Sequence, residues 1–217
     1  MKQIHIFLVL LSIFFSLSAT AAWKIDRSTL ELPEPPESGS AGERKDFEIL
    51  LKYQETRTDD DCRAADRQTR HGLASFFGPQ IGVLSAREMA LVEEFSSEVI
   101  ETVDRVSATF KKRFSRDRPY DSNPAIKPCI RAPGGHKSYP SSHAAVGVVL
   151  SDFLAKIFPK KKELLHRAGM RAGENRVLGG VHHPSDVKAG RMLGVQIEKA
   201  LLSDHDFIQS LEALMHY

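Results

Sequence analysis

Residues 85–115, "SAREMALVEEFSSEVIETVDRVSATFKKRFS", decide the fold class. Ser85 and Glu88 stand in the S-x-x-E pattern of a capping box, where each side chain satisfies a backbone N–H that the first helical turn leaves unpaired. Val92, Phe95, Val99, Val103, Val106 and Phe110 then recur at steps of three and four, laying one apolar face along many turns of α-helix. The run stops near Pro119, which also pushes Arg118 toward an extended conformation. Further helices are expected over about 143–157, 161–178 and 184–202, and "DDD" at 59–61 reads as a solvated helix start. No alternating strand run of useful length and no internal repeat is found. The expectation is an all-α, single-domain helical bundle.

Toward the N-terminus the pattern changes. Lys2 precedes "IHIFLVLLSIFFSL", an apolar run of signal-peptide length, and "ATA" at Ala19 to Ala21 supplies the small residues of a cleavage site. Residues 1–21 are read as a signal peptide cut before Ala22, which places the mature protein in the periplasm. An uncleaved anchor is the alternative, but the run is short for a bilayer span. "LELPEPPESGSAGE" has no apolar period and reads as part of an extended arm over residues 22–46, joining a body over 47–217 near Phe47.

Composition narrows the class. The 217 residues are 41% hydrophobic, enough for one domain with a sizeable core. The net charge of +2 gives no electrostatic case for a nucleic-acid partner. "AAVGVVLSDFLAKIF" is the most apolar later stretch, and Asp152 interrupts it, so it reads as a buried helix and not as a transmembrane segment. Cys62 and Cys129 are an even number in an oxidising compartment, so one disulfide is expected, with two buried thiols as the alternative.

Three short motifs carry the chemistry. In "KKRFSRDRP", Lys111 and Arg118 are seven apart, about two helical turns, so on a continuous helix they would share a face. In "SYPSSHAAVGVVL", Pro140, Ser141 and Ser142 precede an apolar helix whose first N–H groups form a ready anion site, with His143 in that first turn. In "ENRVLGGVHHPSD", Arg176 ends one helix, Gly179 and Gly180 break it, and Pro184 suits the first turn of the next. Asp186 then lies four residues after His182 and can hold one ring nitrogen, leaving the other free. His183 has only Val187 at the equivalent spacing.

Together these motifs, K-x6-R-P, P-S-x-H and R-x5-H-x3-D, resemble the type 2 phosphatidic acid phosphatase superfamily, and most closely its class A bacterial non-specific acid phosphatases. The likeness runs from about Leu30 to Leu211. It implies a fold shared with vanadium haloperoxidases and hydrolysis of phosphomonoesters without a metal or cofactor. The implied roles are His182 as nucleophile, Asp186 orienting it, and His143 as acid and base. Lys111, Arg118, Arg176 and N–H groups at Ser141, Ser142 and His143 would hold the phosphate. Partners are then small phosphorylated substrates, with inorganic phosphate as product; a homo-oligomer is left open. Relatives usually carry Gly where Ser142 stands and Ser where Asn175 stands, and often an aromatic residue at His183, which is expected at the pocket mouth. The alternatives are a lipid or isoprenoid (pyro)phosphate phosphatase of the same superfamily, or a vanadate-dependent haloperoxidase.

Overall fold

The computed structural model describes residues 23–133 and 137–217, and every element among them is helical. The expected signal peptide lies outside the described residues. The long helix over 85–115 forms as expected: it spans Ala86–Phe114, with Ser85 and Glu88 closing the capping box. In chain order the α-helices are α1 (Ala41–Thr56), α2 (Asp59–Asp66), α3 (Leu73–Phe77), α4 (Ala86–Phe114), α5 (Pro119–Ser122), α6 (Ser142–Ile157), α7 (Lys162–Leu178), α8 (Pro184–Leu201) and α9 (His205–Met215).

α6 is the central element. Val146, Val149, Leu150, Phe153 and Leu154 are fully buried on it, and α4, α7, α8 and α9 surround it. At roughly 1.5–3 kcal/mol for each large apolar side chain removed from water, this one helix anchors the bundle. Glycines set how close its neighbours come. A Cβ on Gly147 would lie 2.2 Å from the Gly169 carbonyl oxygen, so α6 and α7 cross almost backbone to backbone. A Cβ on Gly190 would lie 2.2 Å from the Ser141 carbonyl oxygen, which lets α8 press directly on the start of α6. Both contacts tie helices to the end of the bundle that holds the three motifs.

The N-terminal stretch meets the body well before Phe47. Leu30 and Leu32 are buried, and Trp23 packs edge-on against Phe207 at 4.9 Å, next to Phe153. Glu31 and Gln196 exchange two hydrogen bonds of 2.8 Å. Regular structure also starts sooner, because the Ser40 hydroxyl accepts from the Glu43 N–H and begins α1 at Ala41. An apolar residue here and there is enough to dock an otherwise polar segment, a signal that periodicity does not register. Among the described residues no helix is long and apolar enough to cross a membrane.

Candidate active site

The three motifs meet around one cavity of about 510 Å³. α4 supplies Asp104, Ala108 and Lys111, spaced to fall on one face. The start of α6 contributes Ser142 and His143, and the end of α7 contributes Arg176. His182 comes from the turn into α8, and Arg118 sits just before Pro119.

Lys111 and Arg118 reach the cavity from different elements, contrary to the shared helical face expected for them. α4 ends at Phe114, Ser115 takes the left-handed conformation at φ 46°, and Arg118 is the extended N-cap of α5. The Lys111 ammonium donates to the carbonyls of Pro140 (2.6 Å), Lys137 (3.1 Å) and Ser138 (3.3 Å). It therefore pins the loop before α6 as well as bringing charge. Burial and the neighbouring Arg118 push its pKa down to about 7.

His182 has its tautomer fixed by its neighbours. Nδ1 lies 3.1 Å from the Asp186 carboxylate and donates to it. Nε2 lies 2.7 Å from an Arg118 guanidinium nitrogen, which can only donate, so Nε2 carries a lone pair. Burial, then Arg118, keep the ring well below the ordinary histidine pKa despite the hydrogen bond to Asp186. The result is a neutral imidazole whose basic nitrogen lines an electropositive cavity.

Asp186 is fully buried and more heavily engaged than the i,i+4 spacing suggests. Burial alone would raise its pKa, but hydrogen bonds from His182 and His183 outweigh it and hold the carboxyl well below its usual range. It accepts from the His183 N–H at 2.8 Å, from His183 Nδ1 at 3.2 Å, from the Ser138 hydroxyl, and from Arg116 at 2.7 Å. Arg116 continues to Asp46 at 3.0 Å, and Asp46 accepts from the Ser185 N–H at 3.0 Å. Asp46 and Arg116 went unassigned in the sequence. Arg116 lies inside "KKRFSRDRP", but its partners are 70 residues away on either side.

Two further expectations change. His183 is not at the cavity mouth: it is fully buried behind Asp186, near the Phe47 ring, and pairs with Asp186 through the three-residue spacing instead of a four-residue one. The Ser141 N–H donates to the Asp186 carbonyl at 3.0 Å, and its hydroxyl caps the Ala144 N–H, so neither group is directed at an anion. This leaves the expected backbone cradle to Ser142 and His143. Asn175 donates to Gln68 at 2.7 Å and takes a place in the packing between α7 and the segment after α2. The expected Cys62–Cys129 disulfide is present and ties α2 to the stretch over 123–133.

Arg176 is the most unusual group. It is fully buried, and none of its three guanidinium nitrogens has a hydrogen-bond partner among the described residues. Burial, then Arg118, lower its pKa to about 10. A buried cation left like this is expensive unless a ligand completes it.

The protein-family model described as the PAP2 superfamily matches residues 94–208, more than half of the chain. The chain belongs to the PAP2 superfamily. Among PAP2-related proteins of known name, a non-specific acid phosphatase of Salmonella typhimurium is 36% identical over 94 residues, 41% of this chain and 36% of that protein. A non-specific acid phosphatase of Providencia stuartii is 26% identical over 192 residues, 83% of this chain and 76% of that one. The chain thus spans about a third of the first relative and three quarters of the second. The transmembrane PAP2-type phosphatidylglycerolphosphate phosphatase of Bacillus subtilis superposes with a TM-score of 0.53 at 21% identity, over 75% of this chain and 85% of that one. A bacterial vanadium-dependent chloroperoxidase gives a TM-score of 0.61 at 13% identity, over 86% of this chain and 52% of that one. These two likenesses establish the PAP2 bundle as the fold.

Proposed function

We propose that this chain is an exported acid phosphatase that hydrolyses phosphomonoesters through a phosphohistidine intermediate, without a metal. The observation that carries the reading is the His182 Nε2 lone pair, which lines a cavity that Lys111, Arg118 and the unpartnered Arg176 also line. Three cations around one point suit a phosphate dianion and the charge on its equatorial oxygens during transfer, and they would repel a metal dication.

In this reading His182 Nε2 gives its electron pair to phosphorus as the ester P–O bond breaks. The leaving oxygen takes a proton from His143. A water then attacks phosphorus, losing its proton to His143, as the N–P bond breaks and its electron pair returns to His182 Nε2. His143 acts through Nδ1, since its Nε2–H is committed to the carbonyls of Gln68 (2.9 Å) and Thr69 (3.2 Å). Burial, then Arg176, hold His143 well below the ordinary histidine pKa, so its acid form in the empty site belongs to acidic pH. Ser142 lines the cavity, where its side chain stands beside the proposed phosphate position.

The test is release of inorganic phosphate from p-nitrophenyl phosphate in the presence of a chelator, with kcat/KM falling as pH rises from the acid side. A protein that binds phosphate but releases none, or one that needs an added divalent metal, would contradict the proposal. Oxidation of halide only on addition of vanadate and peroxide would assign it to the haloperoxidases instead.

Arg176 offers a second expected result. Arg176→Met removes a buried cation without a partner, so the ligand-free variant should melt at or above the parent temperature. It should lose about 100-fold or more in kcat/KM, the scale of removing one preorganised transition-state donor. Phosphate at 100 times its Kd stabilises a protein by about 2.7 kcal/mol, and the variant should forfeit most of that protection at the same concentration. Phosphate protection equal to the parent's would show that Arg176 does not meet the anion.

A further inference from the structure

Asp46 is a buried carboxylate on α1 that reaches the first turn of α8, 139 residues further along the chain. Pro184 has no N–H, so Ser185 carries the first N–H that α8 leaves without a helical partner. Asp46 accepts that N–H at 3.0 Å and the Ser185 hydroxyl as well. The same carboxylate meets the Arg116 guanidinium at 3.0 Å. Arg116 donates onward to Asp186 Oδ1 and to the Ser185 hydroxyl, both at 2.7 Å. Asp186 Oδ2 faces the other way, to His182 Nδ1 at 3.1 Å. Three buried charges of alternating sign thus lead from α1 to the ring that lines the cavity.

We propose that Asp46 is a positioning residue for the nucleophile, offsetting the charge of Arg116 so that Asp186 keeps its negative charge for His182; this rests on the phosphatase reading above. His182 Nε2 gives its electron pair to phosphorus as the ester P–O pair departs with the leaving oxygen. The ring still holds its Nδ1–H, so it becomes a cation. Arg118 and Lys111 oppose that charge, and Asp186 is the carboxylate in contact with it. Arg116 by itself would cancel Asp186. With Asp46 added, the three side chains carry one net negative charge, which matches the one positive charge of the phosphorylated ring. When water attacks phosphorus, the N–P pair returns to Nε2 and the ring is neutral again. The chain of charges therefore favours formation of the phosphohistidine and gives no help to its breakdown.

Arg116 also sets direction. Its guanidinium takes Asp186 Oδ1, which leaves Oδ2 for His182. Its backbone carbonyl accepts from the Ser138 N–H at 2.8 Å, and the Ser138 hydroxyl donates to Oδ2. A carboxylate with both oxygens engaged in this way cannot turn from His182 without breaking charge-assisted hydrogen bonds. Packing alone does not call for the chain, because Leu50 and Phe47 already seat α1 beside Val177 and Val187. Burying three charges is costly, and what the arrangement delivers is a fixed negative charge behind the nucleophile.

The experiment follows formation and breakdown of the phosphoenzyme in the parent, Asp46→Asn and Asp46→Ala. Asparagine keeps the shape and drops the charge, and alanine drops the same charge without setting an amide against Arg116. A unit charge roughly 10 Å away through protein shifts an equilibrium by about tenfold. In single-turnover mixing with p-nitrophenyl phosphate, both variants should form phosphoenzyme about tenfold more slowly and break it down no more slowly than the parent. They should bind inorganic phosphate at least as tightly, since each lacks one negative charge. Equal slowing of both steps, unchanged formation, or weaker phosphate binding would overturn the proposal. In ligand-free protein, the His182 Nδ1–H proton resonance, identified by its absence from His182→Ala, should move upfield in both variants as the bond to Asp186 weakens. An unmoved resonance would also overturn it. Because that resonance is read without substrate, a parent that forms no phosphoenzyme would count against the phosphatase reading, while the spectrum still decides the charge coupling.

Discussion

His182→Ala should lower phosphatase turnover by about 10⁴-fold or more, while His183→Ala should keep most of it. The first figure is the scale seen when a nucleophile is removed from a cooperating set. The Nε2 of His182 combines a fixed lone pair, a carboxylate on the opposite nitrogen and a place on the cavity wall. His183 supports Asp186 from behind, so its loss should appear as reduced stability and a modest fall in rate. Asp186 keeps donors from His182, Ser138 and Arg116 when His183 is gone. Steady-state rates and thermal melts of the two variants separate these roles. An active His182→Ala enzyme, or a His183→Ala enzyme as dead as the expected His182 variant, would reverse the assignment.

Loss of the Cys62–Cys129 disulfide should cost about 4 kcal/mol, since the bridge closes a loop between residues 67 apart. For a chain of this size that corresponds to a drop of roughly 10 °C in Tm. The bridge also bears on the site. It ties α2 to the stretch where Cys129 donates to the Gly179 carbonyl at 3.1 Å and Arg131 donates to Asp66 at 2.9 Å. Ile130 packs there with Ala65 and Val181, one residue before His182. Paired Cys62→Ala and Cys129→Ala replacements should therefore lower kcat as well as Tm. A Tm change of only a degree or two would show that the packing of this region does not need the bridge.

The sequence was most legible where one segment contains its own explanation. The apolar stripe and capping box of α4 lie within thirty residues, and the His182–Asp186 pair within one helical turn, so both could be read directly. What could not be read depends on partners brought together by folding. Asp104 and His71 are 33 residues apart, and Arg116 joins carboxylates 70 residues away in each direction. None of these pairs has a spacing that marks it. Two misreadings came from backbone detail. The left-handed turn at Ser115 separates Lys111 from Arg118, and the Asp186 carbonyl takes the Ser141 N–H that an anion would otherwise use. His183 was misplaced because a capping contact at three residues serves Asp186 as well as the four-residue spacing does.

The most direct measurement of the central claim is to trap the covalent intermediate. Enzyme mixed with labelled phosphomonoester and quenched into denaturant at alkaline pH, where an N–P bond survives, should carry the label on a peptide containing His182. The label should disappear when the mixture is chased before quenching, and His182→Ala should never acquire it. A labelled phosphoenzyme in His182→Ala, or a label on any residue other than His182 in the parent, would contradict the account.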